Sequence, residues 1–157
     1  MADRKDVVLD KLENVRQELL AVVAEVDEGG WARNVFTETA EWRVSDLFRH
    51  IVGAEPSMAR LIENIRDGGS GASPDFDLAR WNASRVKKTS QKSIEELTAD
   101  LAKNRADLLA VVETLEEDDW DKQGLHGSLV VMTIEEILHR IADHEAEHAE
   151  DIRRATA

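Results

Sequence analysis

Apolar residues recur at helical spacing along most of the chain. Val8, Leu12, Val15, Leu19, Val22, Val23 and Val26 lie on one face of a first helix, which the pattern ends near Gly29-Gly30. A second stripe runs through Leu47, Ile51, Ala54, Met58, Leu61 and Ile65, with Ser45 as expected N-cap and a stop at Gly68-Gly69. Asp67-Gly-Gly-Ser-Gly-Ala-Ser-Pro74 reads as a flexible, turn-rich crossover loop. A short extra helix is predicted from Asp77 to Lys88. Ser93-Ile-Glu-Glu96 is a capping box, in which the Ser hydroxyl and the Glu carboxylate satisfy orphan backbone N–H groups. It opens a helix through Leu97, Leu101, Leu108, Val111 and Leu115. Thr133-Ile-Glu-Glu136 opens the last helix in the same way, and that helix continues to about Arg154. The one β-prone run, Ser128-Leu-Val-Val-Met132, is read as an isolated extended lead-in. Four long helices, one long crossover and a short extra helix between the second and third predict an all-α four-helix bundle. The whole of 1–157 is expected to be one domain.

The pattern also repeats. Residues 16–31 (RQELLAVVAEVDEGGW) and 105–120 (RADLLAVVETLEEDDW) agree at eight of 16 positions, including Trp31 and Trp120. The helices that follow align more weakly, with Ile51 opposite Ile141 and Glu55 opposite Glu145. Two helix pairs related by a pseudo-twofold are therefore expected, with the two tryptophans as packing anchors at the bundle end.

Charge narrows the partners. Twenty Lys and Arg against 33 Asp and Glu leave a formal charge of −13. That balance argues against nucleic acid, whose phosphates attract basic surfaces. The first residues are charged and lead into no apolar segment, and no apolar run approaches a bilayer span, so a cytoplasmic location with no membrane partner is expected. The chain has no Cys. It therefore has no disulfide, no thiolate ligand and no thiol nucleophile of its own.

Candidate chemistry lies in the histidines. An α-helix turns about 100° per residue, so His144 and His148 are about 40° apart on one face, at the edge of the apolar stripe, while His139 points elsewhere. Two imidazoles at i, i+4 can chelate a divalent cation such as zinc, nickel or iron. His50 borders the apolar stripe of the second helix and is the candidate third ligand. Three imidazoles would leave a coordination position open, the pattern of catalytic rather than structural sites. His144-Glu-Ala-Glu-His148 also matches the H-E-x-x-H protease signature. Glu147 inside the motif and the lack of a downstream third ligand argue against that chemistry. A di-iron site is disfavoured because both Glu-x-x-His pairs, 136/139 and 145/148, fall on one helix.

Three segments resemble the DinB-like superfamily. They are Trp42-Arg-Val-Ser-Asp-Leu-Phe-Arg-His50 at the second helix, Trp81-Asn82-Ala-Ser-Arg-Val86 after the loop, and the terminal His144-Glu-Ala-Glu-His148. Their order spans about residues 5–154. The resemblance implies an up-down-down-up bundle with one divalent metal, zinc or nickel, held by His50, His144 and His148. It also implies thiol-dependent chemistry in some members, such as mycothiol-dependent maleylpyruvate isomerases and bacillithiol transferases. In the first half of the repeat Ala54 and Met58 align with His144 and His148, so a single metal site is expected.

The function expected is a metal-dependent enzyme acting on a small molecule by thiol transfer, thiol-assisted isomerisation or hydrolysis. A coordinated thiol loses its proton, and without Cys that thiol must be a low-molecular-weight cofactor. Glu145 is the candidate base or support to the metal. Glu147 and Asp151 are candidates to orient an imidazole. Asn82 and Arg85 are candidates for the substrate entrance. The competing expectation is a non-catalytic, metal-binding or stress-associated scaffold that forms a homodimer through apolar surface.

Overall fold

Both capping boxes close in the structure, a computed structural model that describes residues 3–38 and 40–157. The Ser93 hydroxyl accepts from Glu96 N–H at 3.1 Å and the Glu96 carboxylate accepts from Ser93 N–H at 3.2 Å. Thr133 and Glu136 exchange the same pair at 3.0 Å each. The helices are α1 (Arg4–Glu25), α2 (Glu28–Trp31), α3 (Val44–Arg66), α4 (Leu78–Lys88), α5 (Ile94–Glu113) and α6 (Ile134–Thr156). α1 stops earlier than the apolar pattern suggests. Gly29-Gly30 falls in the separate turn α2, capped by Asp27, whose carboxylate accepts from Gly30 N–H at 2.7 Å. α3 starts one residue before the expected cap, where Arg43 N–H donates to the Asp46 carboxylate at 3.3 Å.

Long-range contacts give the helix directions. Lys5 meets Glu113, and Arg105 donates to the Leu12 carbonyl at 2.9 Å, so α1 and α5 run antiparallel. Arg4 meets Glu135 and Lys11 meets Asp143, so α1 and α6 run parallel. Arg49 reaches the Lys92 carbonyl just before α5, and Arg66 reaches Thr114 just after it, so α3 and α5 run parallel. The result is the up-down-down-up four-helix bundle. α4 packs on α3, as the short extra helix was expected to sit between the second and third long helices. No described helix is long and apolar enough to cross a membrane.

Two hairpins were not legible as such. β1 (Asn34–Thr37) pairs antiparallel with β2 (Ala40–Arg43), and β3 (Gln123–Leu125) with β4 (Val131–Thr133). The run 128–132 is therefore not an isolated lead-in, since its last residues form β4. Strands of three or four residues carry too little alternation to read. Val35 and Trp42, cross-strand partners, pack on the core while Phe36 and Glu41 face solvent. The crossover loop is also less free than its composition suggests. Gly71 (φ +89°) bridges to β3, where Ala72 N–H donates to the Leu125 carbonyl at 2.7 Å and Leu125 N–H to the Ser70 carbonyl at 2.8 Å. A Cβ on Gly71 would lie 2.5 Å from Leu125 backbone atoms, so only glycine fits that approach.

Pro56 lies inside α3 and supplies no N–H to the Val52 carbonyl one turn earlier. Asn104 of α5 replaces it, donating to Val52 at 3.0 Å. Beside it the bundle centre buries four charges. Arg16 grips Glu145 through Nε and Nη2, both at 3.0 Å. Arg105 grips Glu55 at 3.1 and 2.8 Å and reaches Glu145 at 3.0 Å. Each arginine also donates to a carbonyl of the opposite helix, Arg16 to Leu101 and Arg105 to Leu12. Arg16 and Arg105 begin the two repeats, and Glu55 and Glu145 are aligned partners, so the quartet obeys the pseudo-twofold. Burial raises the Glu55 pKa against the pull of Arg105 and Arg16. Glu145, a candidate base from its place in the histidine motif, has both oxygens committed to this cluster. Removing one member leaves uncompensated charge in the interior, which costs about 3–5 kcal/mol. Arg105→Met is expected to lose stability on that scale, read from urea unfolding midpoints with an unchanged slope.

Candidate metal centre

α3 and α6 run antiparallel, and their facing sides bring His50, His144 and His148 together. Each is buried. The three Nε2 atoms converge: His144 Nε2 lies 3.0 Å from that of His50 and 3.1 Å from that of His148. The rings stand nearly perpendicular to one another, at 75° to 87°. Trp42 of β2 packs against the His50 ring with centroids 5.2 Å apart.

A fourth donor comes from outside the bundle. Glu38 sits in the turn between β1 and β2, in the left-handed region at φ 52°. Its carboxylate lies 2.8 Å from His50 Nε2, 2.9 Å from His144 Nε2 and 3.0 Å from His148 Nε2. These four residues form a His/Glu group that can hold a metal ion. Nothing in the local sequence announces Glu38. Its turn lacks the Asn-Gly or Asp-Gly signal of a tight hairpin, and its carboxylate is one of 33 acidic groups.

The protonation chemistry is crowded. Burial works against charge on Glu38, but hydrogen bonds from His144, His148 and His50 outweigh it and hold the carboxyl far below the usual range. With Glu38 ionised, each Nε2 must carry a proton to bond it. The N–N contacts then set N–H against N–H. No placement of protons satisfies all five contacts, whereas one cation accepts every lone pair. Two imidazoles bound to one ion at about 2.0–2.1 Å hold their nitrogens about 2.8–3.4 Å apart as the angle at the ion runs from about 90° to the tetrahedral value, a span that includes the 3.0 and 3.1 Å separations.

His148 Nδ1 lies 2.9 Å from the Asp151 carboxylate. That partner keeps the proton on Nδ1 and leaves Nε2 for a ligand. Glu147 is exposed and pairs with Arg140 at 3.2 Å rather than with an imidazole. His139 faces Lys11 on another side of α6. Asn82 and Arg85 both line a cavity of about 330 Å³ that opens onto Glu38, His50 and His144. Arg85 stacks its guanidinium 5.0 Å from the Trp81 ring centroid. Met58, Leu61, Phe76 and Leu78 supply apolar wall, and His126 and Arg140 complete it. The last two were not singled out by the sequence pattern: His126 sits in the β3–β4 turn, whose position is set by tertiary contacts, and Arg140 reads as one more charge on α6.

A family model described as DinB superfamily matches residues 40–152. This chain belongs to the DinB superfamily. Among solved structures it is similar to TT2238, a four-helix bundle protein, at 25% identity over 96% of this chain and 98% of that one, with TM-score 0.67. It is similar to YfiT from Bacillus subtilis, described as a probable metal-dependent hydrolase, at 19% identity over 96% and 86%, with TM-score 0.72. It is similar to the mycothiol-dependent maleylpyruvate isomerase at 17% identity and TM-score 0.74, covering 97% of this chain and 63% of that one. No curated protein matches this chain.

The groups around the centre give a pH dependence to the metal-free protein. Burial lowers the His144 pKa to about 4 despite its bond to Glu38. Burial also opposes protonation of His148, but Glu38 and Asp151 together raise its pKa. Between about pH 6.5 and 4 the unfolded His144 takes a proton that the folded ring refuses, so its contribution to stability falls as pH falls. His148 works in the opposite sense, stabilising below its unfolded value and losing that contribution as pH rises through its folded one. Asp151→Asn is expected to lower the His148 pKa, read from the ring Cε1–H shift during a pH titration of metal-free protein. An unchanged His148 titration would contradict the assigned role of Asp151.

Proposed function

We propose that the chain is a metal-dependent enzyme that acts on a small molecule held in the cavity beside the histidines. The observation that carries this reading is the convergence of three Nε2 atoms on one carboxylate at distances a cation, and no proton arrangement, satisfies. His50, His144 and His148 are the proposed ligands, Glu38 the fourth donor, and zinc or nickel the expected ion. A divalent cation there supplies Lewis acidity and lowers the pKa of a bound water or thiol.

This chain's own residues hold that chemistry in place. Asp151 fixes the tautomer of His148. Glu145 positions α6 through the arginines and takes no proton from substrate. Asn82, Arg85 and the apolar wall shape the space for the reactant. Because the chain has no Cys, the nucleophile is water or a low-molecular-weight thiol brought in from outside. Hydrolysis and thiol transfer are the two reaction classes that follow.

Glu38 favours a second reading. Four protein donors complete a tetrahedral shell, which is the structural pattern, whereas three leave an open position. With Glu38 permanently bound the protein would be a metal-binding scaffold. The apolar cavity, which reaches the centre on the side of Glu38 itself, favours the enzyme.

Elemental analysis of protein purified without an affinity tag is expected to find about one equivalent of a first-row divalent metal. His50→Ala and His148→Ala are each expected to lose it, and Glu38→Gln to retain it with faster exchange against a chelator. Metal-free protein that cannot be reconstituted would overturn the reading. Turnover with a low-molecular-weight thiol and an electrophile separates enzyme from scaffold. Turnover unchanged by His144→Ala would refute the proposed centre.

A further inference from the structure

His126 is 6% exposed and lies in the turn between β3 and β4, lining the cavity. Its Nδ1 is 3.0 Å from the Ser128 backbone N–H, which can only donate, and 2.8 Å from the Ser128 hydroxyl. Nδ1 must therefore be the unprotonated nitrogen, and the ring proton resides on Nε2. The turn is held by Nδ1 and by the backbone bonds of His126 with Val130 and Leu129. None of these contacts uses Nε2–H. This donor is left for whatever occupies the cavity.

Arg140 of α6 lines the same cavity, and its Nη1 donates to the exposed Glu147 carboxylate at 3.2 Å, which leaves Nη2 and Nε as the donors for a ligand. Burial and the charge of Arg140 both lower the His126 pKa, which keeps the imidazole neutral. The wall carries three arginines, Arg60, Arg85 and Arg140, and a single carboxylate, Glu38, which belongs to the histidine cluster. This is the reverse of the chain as a whole, with 20 basic and 33 acidic residues. The pseudo-twofold that aligns Glu55 with Glu145 also sets Arg140 opposite His50 and the turn 126–130 opposite the turn that carries Glu38. The His126–Arg140 corner is thus the counterpart, in the other half of the repeat, of Glu38 and His50.

We propose that His126 Nε2–H and the Arg140 guanidinium form a subsite for a carboxylate, and that the substrate is a largely apolar molecule that carries a carboxylate. One neutral N–H and one guanidinium match the two oxygens of a carboxylate with a single positive charge. Met58, Leu61, Phe76 and Leu78 of the same cavity supply apolar wall for the body of the molecule. This inference rests on the reading of the cavity as the substrate site. His126 is a binding residue here and takes no part in ligating metal.

The test compares 3-phenylpropionate with 3-phenylpropionamide, equal in shape and different in charge, by calorimetric titration of the full-length protein as purified. The carboxylate is expected to bind about tenfold more tightly, in line with a charge-assisted hydrogen bond. His126→Asn keeps an acceptor at the Nδ1 position for the Ser128 N–H and removes Nε2–H. It is expected to fold, to keep its metal and to bring the two probes to within about twofold of each other. Arg140→Gln is expected to do the same. In the unmodified protein, long-range ¹⁵N spectra are expected to show His126 protonated at Nε2, with that nitrogen shifting on addition of carboxylate and not of amide. A carboxylate preference that survives His126→Asn means the carboxylate sits on the metal, and overturns the proposal. So do equal binding of the two probes, no saturable binding of the carboxylate, or an unmoved His126 resonance. Metal content measured on the same samples reports separately on the centre, so a metal-free protein that still prefers the carboxylate through His126 would keep the subsite and lose the metal reading.

Discussion

Four charges buried at the centre of a helical bundle constrain everything around them. An unpaired guanidinium or carboxylate there is costly, so Arg16, Glu55, Arg105 and Glu145 must meet, and they meet only when all four long helices hold one register. Apolar packing alone tolerates slippage by a turn. The quartet does not, because each arginine is also tied to a carbonyl on the opposite helix. Its members occupy equivalent places in the two repeats. The pseudo-twofold is therefore an axis of charge pairing as well as of helix packing.

That register determines where the histidines point. His144 precedes Glu145 on α6, so once Glu145 turns toward the arginines of α1 and α5, its neighbour faces α3 and meets His50. His148 follows one turn later on the same side. The ligand geometry is thus set by charges that never touch a ligand. Glu38 completes it from a different kind of element. A non-glycine residue in the left-handed region costs about 1–2 kcal/mol, and the hairpin holds Glu38 there with its carboxylate among three imidazoles. A donor on a strained turn can leave without disturbing the helices, which is what an exchangeable fourth position needs.

The helices, both capping boxes and the repeat were legible in the sequence because helical periodicity and caps are local signals. Placing His144 and His148 on one face needed only the turn angle. Other features depended on distant partners. Glu145 reads as part of a histidine motif until Arg16 and Arg105, which lie far away in the chain, are brought beside it. Glu38 is invisible because its hairpin is short and its turn carries no glycine. His126 was one histidine among five until the turn fixed its tautomer. The glycine-rich crossover looked mobile by composition, yet Gly71 lets it lie against β3, where it becomes a wall of the cavity.

The asymmetry between the halves carries the functional logic. Glu55 and Glu145 show that the repeat register persists into α3 and α6, and in that register Ala54 and Met58 stand opposite His144 and His148. Ala54 and Met58 line the cavity, as does Arg140 opposite His50. Cluster and cavity are therefore each built from both copies. The first supplies His50 and Glu38 to the cluster, and Ala54 and Met58 to the cavity wall; the second supplies His144 and His148 to the cluster, and Arg140 to the wall. Neither copy alone carries a complete set of donors. The pseudo-twofold brings the two halves of the cluster together across one pair of antiparallel helices, and the buried quartet that keeps those helices in register keeps the donors facing one another.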